Sequence, residues 1–115
     1  MTHLVNKVCE AIRDDESPVR GEDLTHYRAQ IDNEWDIQDE ERLSRKFMFS
    51  SYEEAVEFTN RIAGIAKSEG HHPEIRLSYG EVEVELTTHE LEGLHENDFI
   101  MAAKIDREHG DFQSN

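Results

Sequence analysis

Apolar residues recur along the chain in two rhythms. Between residues 52 and 69, Ala55, Phe58, Ile62, Ile65 and Ala66 fall three or four apart, which predicts a helix with one buried stripe. Its start is marked by Ser51-Tyr52-Glu53-Glu54, a capping box in which the Ser51 hydroxyl accepts from the Glu54 amide while Glu54 reaches back. Gly70 suits the left-handed residue just past its end. The same spacing predicts helices over 3–13 (Leu4, Val5, Val8, Cys9, Ile12), 21–31 (Leu24, Tyr27, Ile31) and 96–108 (Phe99, Ile100, Ala102, Ala103, Ile105). Glu22 and Asp23, and later Glu96 and Asp98, place negative charge where the helix dipole favours it.

Elsewhere the rhythm is two. Trp35-Asp36-Ile37 alternates, as does the stretch from Leu43 to Phe49, which sets Phe47 and Phe49 on one face, so two strands are expected to join around Asp39-Glu40. Residues 74–80 and 81–88 alternate more cleanly. With Gly80-Glu81 as a two-residue, glycine-first turn, opposed residues have numbers summing to 161. Tyr79 then faces Val82, Leu77 faces Val84 and Ile75 faces Leu86 on a buried side, and Arg76 faces Glu85 on the other.

Two antiparallel hairpins among helices imply an α+β domain, one sheet with helices over its apolar face. At 115 residues the chain has room for a single core. Residues 1–19 are expected to be a helical extension and a linker around Ser17-Pro18, 20–108 the domain, and 109–115 a frayed polar tail.

Charge narrows the function. Against 12 basic residues stand 27 acidic ones, a net charge of −15, and such a surface disfavours nucleic acid and anionic membranes, which need a basic face. The acidity fits either a salty cytoplasm or simple solubility. A single cysteine, Cys9, excludes an internal disulfide and, on the apolar side of its segment, reads as a small core-facing residue and not a nucleophile. The N-terminus lacks the pattern of a secretory signal, and no apolar run approaches the roughly 20 residues that span a bilayer, so a cytoplasmic location is expected.

Among seven histidines, His71, His72 and His89 carry the candidate chemistry. In the register above, His72 and His89 oppose each other at the sheet's end, on the face opposite Ile75 and Leu86. Imidazoles titrate near neutrality, so a cluster offers both a proton donor and an acceptor, as loss of water from a carbon next to nitrogen requires. A metal site is the rival reading, but adjacent histidines on a strand point to opposite faces, and no two-His helix or Cys-rich spacing accompanies them. Histidines that merely cap strand ends are a third reading, weaker for three than for one.

Lys67, His71-His72-Pro73, Tyr79, His89 and Asp98, at their spacings, resemble the signature of the pterin-4a-carbinolamine dehydratases. Glu74, Thr88-His89-Glu90, Gly93-Leu94 and the run from Glu96 to Asp106 extend the resemblance over about residues 20–108. It implies a four-stranded antiparallel sheet with helices on one side, and dimers or tetramers. It also implies a reaction, in which a 4a-hydroxytetrahydropterin loses water to give quinonoid dihydropterin and so recycles tetrahydropterin, with no metal or organic cofactor.

By position the resemblance makes His71, His72 and His89 the catalytic set, with His71 and His89 as acid and base and His72 holding substrate. Pro73, Glu74, Thr88, Glu90 and Asp98 become its substrate-binding residues. The chain departs from the family at Lys67 and Gly70, where many members carry acidic or amide residues. That removes a carboxylate that would orient the first histidine, and Glu69 or Glu90 would have to replace it. Asn97 stands where some members carry arginine, and His95 replaces the usual threonine helix cap. Two other roles go with the resemblance, a non-enzymatic partner-binding module and a part in molybdopterin metabolism.

Overall fold

The capping box at Ser51 forms as predicted. In the computed structural model, which describes residues 3–113, the Ser51 hydroxyl accepts from the Glu54 amide at 3.2 Å, and the helix behind it, α2 (Tyr52–Glu69), ends on Gly70 at φ 69°. Around α2 the chain runs α1 (Gly21–Arg28), β1 (Asp36–Gln38), β2 (Arg42–Met48), β3 (Glu74–Ser78), β4 (Glu81–Leu86) and α3 (Glu96–Gln113), with 3-10 turns at Leu4–Asn6 and His89–Leu91. The strands form one antiparallel sheet in the order β1-β2-β4-β3. This is the α+β arrangement that the two rhythms predict.

Alternation decides which face is covered. Leu43 and Phe47 on β2 and Val82, Val84 and Leu86 on β4 are buried under α2 and α3, where they meet Phe58, Ile62, Phe99 and Ile105. The other face stays open and charged, with Lys46 opposite Glu83 and Arg76 bonded to Glu83 at 3.0 Å. Arg45 shares the covered face. Its guanidinium lies 2.7 Å from Asp106 of α3, whose carboxylate also accepts from the Trp35 indole at 2.7 Å and the Asp32 amide at 3.0 Å.

Three expectations are corrected. The β3–β4 turn is Tyr79-Gly80, so Ser78 opposes Glu81, Leu77 opposes Val82 and Arg76 opposes Glu83, a register sum of 159 instead of 161. Gly80 takes φ 68° in the second turn position, and its carbonyl accepts from the Phe49 amide at 2.7 Å. A Cβ at residue 80 would sit 2.9 Å from the Phe49 oxygen, so contact with the end of β2 fixes where the turn falls. Shifting the sum by two preserves parity, so β4 buries the predicted face, but on the edge strand β3 Ile75 is only half-buried and Leu77 is exposed, and Tyr79 in the turn is 78% exposed, against the expectation that all three are buried.

Secondly, the helix expected over 3–13 is only the turn at Leu4–Asn6, and residues 7–12 belong to no helix or strand. Side chains of the domain bond its backbone, so helical hydrogen bonds are replaced by tertiary ones. Thirdly, α3 continues to Gln113, past the frayed tail expected from 109, because Phe112 packs on Phe49 and Phe58 and lies under Arg61. Residues 1, 2, 114 and 115, the ends of the expected extension and tail, lie outside the described residues.

Candidate active site

Beyond Leu86 the sheet stops, and the chain folds into a bridge between Thr88 and Gly93 that encloses the 3-10 turn at His89. On the facing side α2 ends at Gly70 and passes into His71-His72. The amino end of α3 closes the back. Between these ends lies a cavity of about 480 Å3 lined by His71, His72 and His89, with Thr87, Thr88 and Glu90 beside them. His72 does not oppose His89 across a ladder as the expected register had it, since pairing ends at Glu74–Glu85 and the 3-10 turn carries His89 to the cavity.

The histidines differ in how they are held. His72 and His89 are exposed, whereas His71 is largely covered and its Nε2 lies 2.6 Å from Oδ1 of Asp98. Asp98 is wholly buried, and its Oδ2 accepts from the Thr88 hydroxyl at 2.8 Å and the His95 amide at 3.0 Å. With the carboxylate as acceptor, Nε2 of His71 carries the proton and Nδ1 keeps a lone pair free to accept one.

The His95 bond also caps α3. Nδ1 of His95 accepts from the Asn97 amide at 3.0 Å, and its Nε2 lies 2.9 Å from Glu16. Imidazole and carboxylate thus form a reciprocal cap in place of the usual hydroxyl and acid. Leaving the cap's acceptor free requires the His95 proton on Nε2, where Glu16 receives it.

Of the residues assigned to substrate, Thr88 and Glu90 line the cavity. Asp98 stands behind His71, and its contacts are the protein groups just described. Pro73 and Glu74 lie apart from the cavity lining, with Glu74 on the open face beside Arg76 at 3.4 Å. The carboxylate that orients His71 is Asp98, not Glu69 or Glu90. Glu69 instead pairs with Lys104 at 3.1 Å and accepts from the Cys9 amide at 2.8 Å. Cys9 is core-facing as expected, and burial, with the nearby Glu69 charge, pushes its thiol up to about 12.

Not among the residues assigned to the site are Asn97, Gly70, Thr87 and the segment Glu10-Ala11-Ile12, all of which line the cavity. No spacing rule connects residue 10 to residue 97. Larger hollows lie between α1 and α3 and between α2 and α3, and neither touches these histidines. Among the described residues no helix is long and apolar enough to cross a membrane.

Known proteins are similar to this chain in sequence and in fold. Residues 17–108 match the model of the family described as pterin 4 alpha carbinolamine dehydratase. A protein of Syntrophotalea carbinolica named "Putative pterin-4-alpha-carbinolamine dehydratase" is 43% identical over 109 residues, covering 92% of this chain and 96% of the relative. One of Alkaliphilus metalliredigens with the same name is 37% identical over 108 residues, covering 94% and 97%. Among solved structures, a transcriptional coactivator/pterin dehydratase from Brucella melitensis superposes with a TM-score of 0.71 at 27% identity, over 84% of this chain and 98% of that one. A pterin dehydratase-like protein identified as a RuBisCO assembly factor in the alpha-carboxysome gives 0.59 at 26% identity, over 68% and 92%. Taken with the three histidines and the carboxylate behind them, these matches place the chain in the pterin-4a-carbinolamine dehydratase family.

Proposed function

We propose that the chain dehydrates a 4a-hydroxytetrahydropterin, and that His71 and His89 move the two protons. The reaction breaks the C4a–O bond with a proton delivered to the departing oxygen, removes the proton of the neighbouring ring nitrogen, and leaves a C=N double bond and water. The observation that carries this reading is His71, held through Nε2 by a buried carboxylate and lining a cavity shared with two further histidines. One imidazole donates to the hydroxyl while another accepts from the N–H, and neither step calls for a metal or an organic cofactor. His72 holds the ring, with Thr88 and Glu90 beside it. The expected domain (20–108), cytoplasmic setting and homodimer or homotetramer belong to the same reading, and the unpaired edge of β3 supports the last of these.

Turnover of a chemically prepared 4a-hydroxytetrahydropterin tests the proposal. Replacing His71 or His89 by alanine should lower kcat by about 100- to 10,000-fold, while His72→Ala should chiefly raise KM. No acceleration over buffer by the unaltered protein overturns it. A non-enzymatic partner-binding role would survive those replacements with oligomeric state unchanged; the carboxysome protein, named a RuBisCO assembly factor, is a relative with a role of another kind.

A further inference from the structure

Residues 7–12 cross the amino end of α3 as a strap. Its peptide groups are held by side chains. The Cys9 amide donates to Glu69 at 2.8 Å, the Glu10 amide to Oδ1 of Asn97 at 3.0 Å, and Nδ2 of Asn97 donates to the Glu10 carbonyl at 2.7 Å, while Lys7 pairs with Glu96 at 2.6 Å. The Asn97 amide thus bonds residue 10 in both directions, as a neighbouring strand would, and Asn97 is 3% exposed. The matched family region begins at residue 17, so the clamp joins that region to a segment before it.

What the strap brings to the cavity is chemically distinct. The remaining lining is histidine, threonine, glutamate, asparagine and glycine, and among the described residues Ala11 and Ile12 are the only purely aliphatic side chains in it. A planar heteroaromatic ring has polar edges and apolar faces. The histidines suit an edge, and among the described residues Ile12 of the strap offers the largest hydrocarbon side chain to a face, beyond the methyl groups of Thr87 and Thr88. We propose that the strap is the wall against which the substrate ring lies, and that Asn97 is a positioning residue that acts through it. The identity of the ring rests on the dehydratase reading. The wall rests on the cavity.

Two variants test this, Ile12→Ser, which leaves the clamp intact, and Asn97→Ala, which removes it. Each should raise KM about tenfold, the effect of losing one buried aliphatic contact, with kcat within about twofold. Hydrogen exchange at the Glu10 amide should quicken in Asn97→Ala alone. An unchanged KM in Ile12→Ser overturns the wall, and a loss of kcat without a change in KM in Asn97→Ala overturns the positioning role. Should the unaltered protein fail to turn the pterin over, the dehydratase reading falls and the wall is judged by equilibrium binding of a stable, fully oxidised pterin. Binding weakened about tenfold in Ile12→Ser sustains the wall, and binding that is equal in that variant, or undetectable in the unaltered protein, overturns it.

Discussion

Asp98 holds a proton-bearing nitrogen of His71, the hydroxyl of Thr88 and the amide of His95 with two oxygens, all out of water. Exchanging it for asparagine keeps the shape but turns one acceptor into a donor, so at least one of the three partners meets a like group. Asp98→Asn should therefore lower kcat by on the order of 100-fold and stability by about 1–3 kcal/mol. Pterin turnover and urea unfolding of the same sample check both, and an unaltered kcat would remove the orienting role. The sequence made the histidines legible, because a long spaced pattern singles them out. It hid the task of Asp98, since an acid in a helix's first turn is ordinarily explained by the dipole. Pro73 and Glu74 show the converse: the chain passes from the loop at His71-His72 into β3 at Glu74, and closeness in sequence to the histidines does not bring these two side chains to the cavity.

Elements were legible where one strong local signal set them. The capping box and Gly70 fix both ends of α2, and the alternation of β3 and β4 fixes their faces. The β1–β2 turn was legible in place but not in cost. Asp39 and Glu40 both adopt positive φ, 56° and 58°, a conformation that an L side chain resists and glycine does not. Glu40→Gly should raise unfolding stability by roughly 0.5–1 kcal/mol, read as a higher urea midpoint at constant slope. A lowered midpoint would mean that the Glu40 side chain compensates for its backbone. The strap over 7–12 defeated periodicity for a different reason. Leu4, Val5, Val8, Cys9 and Ile12 have helical spacing, yet Val8 is 67% exposed, because partners distant in sequence outcompete a helix too short to be stable alone.

At the scale of the whole molecule, the end of α3 closes the core with an imidazole. His109 lies among Phe47, Phe49 and Phe58, with Arg45 and Asp32 as the charged groups that act on it, and burial first, then Arg45, lowers its pKa from 6.5. The unfolded chain therefore binds this proton more readily than the folded one. The stability it contributes is fully present above pH 6.5 and is lost as pH falls through the folded value. Burial raises the Asp106 carboxyl above its ordinary 3.8, an effect of the opposite sign. Thermal midpoints should thus fall on acidification below pH 6.5, and less so in His109→Phe; identical slopes would exclude His109 as the cause. Asp106 has a second consequence. By gripping Trp35, Arg45 and the Asp32 amide at once, it allows α3 only one rotation about its own axis and one height above the sheet. Eight residues earlier on that helix, about 12 Å along it, stands Asp98. The aim of the carboxylate behind His71 is therefore set from the far side of the domain, and a change at Arg45 can detune the histidine without approaching it.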